Sequence, residues 1–131
     1  MNVKRVGYVG VRTPELEETT WFFRDVLGLE AAGEDDTVTF TRLPTHRRDL
    51  VEVYSPEHRD ERMIPNDVDF MIAFVIDDVE QARAEMLDAG LRCGEIVWAA
   101  KEFDSPEYGE FAWFFVRAPD GRAYAIEQVP D

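Results

Sequence analysis

The residues DFMIAFVI (69–76) and DDVEQARAEMLDAGL (77–91) decide how the rest of the chain folds. In the first run, apolar side chains recur at every second position from Phe70 to Ile76, which predicts a strand with one wholly apolar face. In the second run, apolar residues recur every three or four positions between two aspartates and Gly90, which predicts a helix that covers this face. The opposite strand face carries a mixed set suited to the wall of a cavity, namely Asp69, Met71, Ala73 and Val75.

Length and composition predict one folded domain. The chain has 131 residues, of which 45% are hydrophobic, and this is enough for a substantial core. No apolar run approaches the ~18 residues of a membrane helix. The N-terminus leads into a short strand rather than the apolar segment of a signal peptide. We therefore expect a cytoplasmic protein. The single cysteine, Cys93, has no partner for an intrachain disulfide, which agrees with a reducing compartment.

The chain is strongly acidic, with a formal net charge of −14. Such a field repels nucleic acid and anionic membrane surfaces, so we expect neither as a partner. It favours cationic ligands if the negative charge converges on a cleft. The alternative is that the charge serves solubility alone.

The chain repeats one plan of a strand, a helix and about three further strands. We predict strands at 4–12, 37–43, 50–54, 69–76, 92–99, 111–117 and 122–128, helices at 15–27 and 77–90, and a loop at 100–110. The pattern predicts an α+β fold of two tandem βαβββ modules, at about 3–56 and about 68–131, joined by a linker at about 57–67. The modules form a cupped, mixed sheet of roughly eight strands with helices on the outer face.

Five motifs in this order resemble the vicinal oxygen chelate superfamily, which includes glyoxalase I, bleomycin-resistance proteins, fosfomycin-resistance enzymes and extradiol dioxygenases. They are Val9 to Arg12, Phe22-Phe-Arg-Asp-Val-Leu-Gly-Leu29, Ile72-Ala-Phe-Val-Ile-Asp-Asp-Val79, Ala89-Gly90 and Pro119-Asp-Gly121. The resemblance covers nearly the whole chain and implies the cupped fold and a homodimer. It does not imply one reaction, because one fold hosts many chemistries.

In metal-using members of that superfamily, four side chains of the cup bind a divalent ion, one from the first and one from the last strand of each half. The resemblance carries these positions onto Tyr8, Glu52, Met71 and Ala125. A phenol, a thioether and a methyl group are not ordinary ligands of hard divalent ions. Glu127, on the same strand face as Ala125, would give two carboxylates and no imidazole. We therefore expect no metal and no other cofactor.

Aromatic and acidic side chains of the predicted cup favour binding of a small molecule. Aromatic planes beside carboxylates hold flat or cationic organic molecules by stacking, cation–π attraction and ion pairing. The residues that we expect to line this site are Tyr8, Arg12, Glu52, Met71, Ala73, Trp98, Phe103, Trp113, Ala125 and Glu127. The alternative is that the aromatics are ordinary core and that Glu52 and Arg12 form a neutralised buried pair. His46 and His58 lie off the strands, and we expect both to be solvated.

Two classes of function remain open. The first is a metal-free protein, resembling the bleomycin-resistance group, that sequesters a cationic or aromatic antibiotic or metabolite. The second is an enzyme of the same fold: either a lyase or isomerase with Glu52 or Glu127 as general base and Tyr8 as proton donor, or a diverged glyoxalase-type lyase. A third option is an accessory domain whose cup is filled by its own side chains.

Overall fold

The structure is a computed structural model that describes residues 1–130. Within them the chain forms nine strands with both parallel and antiparallel pairs, together with a few short helices, so the predicted α+β fold with a mixed sheet is confirmed. Two compact units share the chain: the first unit is Tyr8–Met71, and the second unit is Met1–Gly7 with the chain from Ile72 onward. None of the helices in residues 1–130 is long and apolar enough to cross a membrane.

The first unit builds its core between strands and one helical segment. Strands β2 (Glu30–Glu34), β3 (Val38–Arg42) and β4 (Asp49–Tyr54) pair antiparallel in order, and β1 (Arg5–Arg12) pairs in parallel with β4. The core on one face of these strands contains the buried residues Leu29, Val51 and Val53, with Val11, Leu16, Phe23 and Leu50 packed against them. Side chains on the other face of β1 and β4 are therefore available for a site.

The helix predicted at 15–27 is shorter and changes type. Helix α1 (Leu16–Trp21) continues into a π-helical turn over Phe22–Val26, in which the Leu27 N–H donates to the Phe22 carbonyl at 3.0 Å. Gly28, with φ of +79°, ends the segment as the sequence predicts. The apolar periodicity of the predicted helix places Leu27 in line with Leu16, Thr20 and Phe23 on its buried face, but the Leu27 side chain is 55% exposed.

The second unit contains the segment from which the sequence analysis began. Strand β5 (Phe70–Val75) pairs in parallel with β9 (Ala123–Gln128), which pairs antiparallel with β8 (Ala112–Arg117). Helix α2 (Val79–Asp88) begins at Asp78, whose carboxylate accepts from the N–H groups of Glu80 and Gln81, both at 3.1 Å. Gly90, with φ of +85°, follows its last turn. The buried core beneath this helix comprises Ile76, Val79, Ala82, Ala112, Phe114, Val116 and Ile126.

The two faces of β5 differ from the prediction in their degree of burial. Phe74 and Ile76 pack into the α2 core as expected, but Phe70 is 62% exposed, so the helix does not cover the whole apolar face. The opposite face, with Met71, Ala73 and Val75, is at most 1% exposed. Three of the four residues expected to line a cavity are thus deeply buried, whereas the fourth, Asp69, is exposed.

Three local predictions were wrong. The strand predicted at 92–99 is interrupted and gives the short strands β6 (Arg92–Cys93) and β7 (Val97–Trp98), which both pair with β8. The predicted loop at 100–110 contains most of helix α3 (Ala99–Glu102) and a 3₁₀ turn at Pro106–Tyr108. Strand β2 was not predicted because its sequence, EAAGE, has no apolar alternation and its residues are all exposed.

Candidate functional site

The structure divides the predicted ligand-binding residues between the two units. Tyr8, Arg12, Glu52 and Met71 lie in the first unit. The second unit holds Ala73, Trp98, Phe103, Trp113, Ala125 and Glu127. All ten are buried or partly buried, and Arg12, Trp98 and Phe103 are the three that retain partial exposure.

In the first unit, a phenol and two carboxyl groups meet at β4. The parallel register pairs Gly10 with Glu52 and Arg12 with Tyr54, so these side chains share one face of the strands. The Tyr54 O–H donates to Glu52 Oε1 at 2.5 Å, and both side chains are buried. The Asp49 carboxyl lies close enough to the Glu52 carboxyl to affect its ionisation.

The electrostatics of this cluster keep Tyr54 a neutral donor. Burial raises the pKa of Tyr54 well above its usual value, and the neighbouring Glu52 charge and Tyr8 act in the same direction. Burial also raises the pKa of Asp49, against the opposing effects of the hydrogen bond to Glu52 and of the charges of Arg42 and Arg48. A phenol that donates to a buried glutamate, with a second carboxyl close by, has the components of a proton-transfer site.

Sequence reasoning found Glu52 but missed Tyr54 and Asp49. Tyr54 donates to Glu52, and the role of Tyr8 as a proton donor stays a prediction. The signal was present, because positions 52 and 54 of a strand point to the same face. Asp49 carried no comparable signal, since it follows a polar turn and its contact with Glu52 depends on how β4 begins.

Arg12 holds the segment that the sequence predicts to be a linker. Its guanidinium donates from Nη1 to the His58 carbonyl at 3.0 Å, and from Nε and Nη2 to the carbonyls of Val68 and Pro65, both at 3.2 Å. Three of its five N–H groups are therefore used in binding the backbone of its own chain. The alternative reading of the sequence paired Arg12 with Glu52, but Arg12 donates to these three carbonyls and Glu52 accepts from Tyr54.

Two apolar side chains occupy the space beside Gly10 on the site face of β1. A Cβ at Gly10 would lie 3.7 Å from Ile64 Cδ1 and 3.8 Å from Met71 Cε, and both residues are at most 1% exposed. Ile64 comes from the predicted linker. Within the first unit, side chains of the chain itself thus fill part of the face that was expected to receive a ligand.

His58 was expected to be solvated, and this prediction was wrong. Its ring is buried and makes an edge contact with the Tyr54 ring at 4.8 Å between centroids. The Thr37 hydroxyl donates to Asp35 Oδ1 at 2.9 Å, so its oxygen accepts from His58 Nδ1 at 3.1 Å. His58 Nε2 is then a buried acceptor with no hydrogen-bond partner. Burial lowers the pKa of His58, assisted by the Arg12 charge and opposed by Asp60 and Asp35. His46 is exposed, as predicted.

In the second unit, a buried carboxylate lies in an aromatic setting. Glu127 is 4% exposed, and its register partner on β8 is Trp113. The Trp113 ring stacks on Phe103 at 6.2 Å between centroids and 25° between planes, and it contacts Phe111 at 5.0 Å. Ala73 and Ala125 are register partners and share this face with small methyl groups. The structure therefore brings together five of the six residues that were predicted in this unit.

Gly7 makes room for this carboxylate. A Cβ at Gly7 would overlap Glu127 Oε1, would lie 3.0 Å from Glu127 Cδ, and would lie 3.1 Å from Val75 Cγ2. Residue 7 must therefore be glycine for Glu127 to hold its position. No local sequence pattern predicts this contact, because the two residues are far apart in the chain.

Trp98 lies apart from the other aromatics. Its register partner is Ala112, whereas Val97 pairs with Trp113, so Trp98 points to the opposite face and packs against the α2 core. There it lines a cleft of about 450 Å³ with Lys4, Ile76, Asp77, Asp78, Glu80, Glu110, Gln128, Val129 and Pro130. Lys4 and Asp77 form an ion pair at 3.1 Å. Trp98 thus belongs to an acidic cleft that sequence reasoning did not find.

The donor set at the positions of the family metal ligands does not fit a divalent ion. Those positions hold the phenol of Tyr8, the carboxyl of Glu52, the thioether of Met71 and the methyl of Ala125. In residues 1–130, no three His, Cys, Asp or Glu side chains are grouped so that they could hold a metal. Hard divalent ions need several oxygen or imidazole ligands, which these residues do not supply.

Solved structures with the same fold include metal enzymes. The Mn(II)-bound glyoxalase from Novosphingobium aromaticivorans is 20% identical with a TM-score of 0.72 over 96% of this chain, which spans 39% of that protein. An extradiol ring-cleaving dioxygenase from B. fuscum is 18% identical with a TM-score of 0.72 over 99% of this chain and 34% of the other. A glyoxalase/bleomycin resistance protein/dioxygenase superfamily member from Vibrio splendidus is 18% identical with a TM-score of 0.63 over 95% of this chain and 97% of the other. These likenesses concern the fold.

Sequence comparison identifies the family directly. No curated protein is significantly similar to this chain in sequence. The sequence pattern of one family matches residues 5–122, which is most of the chain and includes the five motifs from the first strand to the last turn. The chain belongs to the Glyoxalase/Bleomycin resistance protein/Dioxygenase superfamily.

Proposed function

We propose that this chain is a metal-free small-molecule-binding protein that sequesters a planar organic cation, such as an antibiotic or a metabolite, as a cytoplasmic homodimer. The observation that carries the proposal is the buried Glu127 carboxylate in register with Trp113, whose ring stacks on Phe103. A buried carboxylate attracts a cation strongly, and stacked aromatic side chains give a planar cation an apolar surface. The net charge of −14 favours approach of the same ligands.

Binding is tested with bleomycin and with proflavine, a planar aromatic cation. Calorimetric titration and thermal shift of the native chain should both detect binding, because a ligand of the native state raises stability. Anthracene-9-carboxylate, a planar anion, is the matched control and should not bind. If none of the cations binds, the sequestering function is wrong.

Two variants locate the ligand. Glu127→Gln keeps the shape of the side chain and removes its charge, so it should weaken proflavine binding about tenfold or more. Trp98→Phe changes the separate acidic cleft and should leave binding unchanged. The reverse result would assign the ligand to the cleft that Trp98 lines and would overturn the role of Glu127.

One observation favours a second candidate function, a lyase or isomerase. Tyr54 donates to the buried Glu52, and burial raises the pKa of the nearby Asp49 carboxyl. Such a group supports proton transfer at carbon next to a carbonyl. The test is deuterium exchange into a panel of α-hydroxyketones, followed by NMR, in which Glu52→Gln should abolish any exchange that the native chain catalyses. No exchange with any ketone counts against this function.

A further inference from the structure

Half of the net negative charge lies in one short part of the first unit. Residues 15–36 contain eight acidic residues and one arginine, a net charge of −7 against −14 for the whole chain. All eight acidic side chains are exposed. Neither the buried residues of the candidate site nor the proposed ligand accounts for this concentration of charge.

The same part of the chain exposes four large apolar side chains. Trp21, Phe22, Val26 and Leu27, together called the Trp21 patch, are 56%, 43%, 53% and 55% exposed. The π-helical turn explains why they are neighbours. Its hydrogen bonds join residues five apart, as in the bond from the Leu27 N–H to the Phe22 carbonyl. Residues five apart therefore lie one turn apart on the same face, which places Val26 next to Trp21 and Leu27 next to Phe22. In a regular α-helix these positions would spread around more of the surface.

The elements around the patch are charged and open. Glu17 and Glu18 are exposed on the preceding helix, and Asp25 lies within the turn. The exposed strand β2 follows, and in the described part of the chain it pairs with β3 alone. Charged residues and an irregular register discourage an edge strand from pairing with another copy of itself. Strand β2 has both, with Glu30 and Glu34 at its ends and a register shift after Ala31.

We propose that the Trp21 patch with its acidic surroundings is a docking surface for a basic amphipathic segment of a partner protein. The apolar side chains receive the apolar face of the segment, and the exposed carboxylates receive its lysines and arginines. In contact between two copies of this chain, two surfaces with a charge of −7 each would repel one another. An anionic membrane would be repelled for the same reason. Four half-exposed side chains form a small interface, so binding is transient and depends on salt.

The experiment titrates the full chain with a fixed probe, the amidated peptide of sequence LKKLLKLLKKLLKL, and follows tryptophan fluorescence. The expected result is saturable binding that weakens at least tenfold between low and high salt. A peptide in which every Lys is Glu is the control and should not bind. Equal binding of the acidic peptide would overturn the proposal.

Variants test the surface itself. The double variant Val26→Ser with Leu27→Ser should weaken peptide binding about tenfold, and these exposed positions are expected to tolerate it. Glu17→Gln with Glu18→Gln should weaken binding and flatten its salt dependence. The matched control is Leu87→Ser, because Leu87 is a leucine of similar exposure, 43%, on helix α2 of the second unit. If the control weakens binding as much as the patch variants do, the surface assignment is wrong.

Two further outcomes would assign the patch to another occupant and overturn the proposal. One is self-association in sedimentation equilibrium that the Val26→Ser and Leu27→Ser variant removes, which would make the partner a second copy. The other is binding to vesicles of anionic lipid that the same variant removes. Both measurements compare the native chain with this variant and are independent of the ligand proposed for Glu127.

Discussion

Substituting Gly7 by alanine should destabilise the protein because a single methyl group would enter the space of a buried carboxylate. The new Cβ would overlap Glu127 Oε1 and would lie only 3.0 Å from Glu127 Cδ and 3.1 Å from Val75 Cγ2. Since Glu127 is 4% exposed, its carboxylate cannot swing freely into water. Either the side chain leaves its buried contacts or strands β1 and β5 shift.

The magnitude follows from three effects. Overpacking a filled interior costs about 1–3 kcal/mol, and disturbing the contacts of a buried charged group costs about 1–3 kcal/mol more. Replacing a strand glycine by alanine returns roughly 0.5–1 kcal/mol. We therefore expect Gly7→Ala to lower the free energy of unfolding by about 3 kcal/mol, the middle of the range that these effects give together.

Urea denaturation followed by circular dichroism measures this change, and the chain offers a matched control. A Cβ at Gly10, on the same strand, would make only ordinary contacts at 3.7 and 3.8 Å, with Ile64 and Met71. Gly10→Ala should therefore be neutral or stabilising by up to about 1 kcal/mol.

A double-mutant cycle identifies the cause. Because Glu127→Ala removes the carboxylate, the cost of Gly7→Ala in that background should shrink, with a coupling energy of about 1–3 kcal/mol. If Gly7→Ala is as stable as Gly10→Ala, or if the cycle shows no coupling, the packing of Glu127 against residue 7 is refuted.

Three further predictions concern the first unit. Tyr54→Phe removes the hydrogen bond to Glu52, and urea denaturation should show a loss of about 1.5–3 kcal/mol, the range for bonds to charged groups; no loss would mean that the bond is not formed. Arg12→Lys loses the planar fork that holds three carbonyls, so trypsin should cleave faster at Arg59 and Arg62, and unchanged cleavage would contradict the role of Arg12. His58 has a pKa below its unfolded value, so the unfolded state binds more protons near pH 6 and stability falls as the pH drops below about 6.5, by at most ~1.4 kcal/mol per pH unit. His58→Phe should remove that part of the pH dependence, and identical profiles for the two proteins would refute it.

The elements that the sequence predicted are those whose signals are local. Strand β5 and helix α2 have clear apolar periods, an aspartate at the start of the helix and Gly90 at its end, and each feature acts within a few residues. Strand β2 lacks such a period, and what defines it is pairing with β3. The π-helical turn likewise has no sequence signature, since Phe22–Val26 would continue a regular helix equally well.

The site was predicted in part for the same reason. Alternation along β4 and β9 identified Glu52 and Glu127 as inward-facing carboxylates, and both are buried. Their immediate surroundings depend on contacts between distant residues, such as Gly7 beside Glu127 and the Arg12 bonds to His58. The burial of His58 and Ile64 follows from those contacts, which is why a charged segment without apolar periodicity was predicted to be a linker.

Each unit keeps a carboxylate buried on its last strand, at a cost to stability. In the first unit Glu52 pairs in register with Gly10, and in the second unit Glu127 fills the space that a side chain at Gly7 would take. Removing a carboxylate from water costs several kcal/mol, and well-packed apolar residues of similar volume often stabilise a fold more than buried charge does. Stability alone therefore gives no reason for either residue. Charge that a fold retains against stability marks a candidate functional residue, and the two proposed functions assign Glu127 to attraction of a cation and Glu52 to transfer of a proton. The two carboxylates differ in what surrounds them: Glu127 lies beside stacked rings, which suit a cation, and Glu52 beside a phenol and a second carboxyl, which suit a proton.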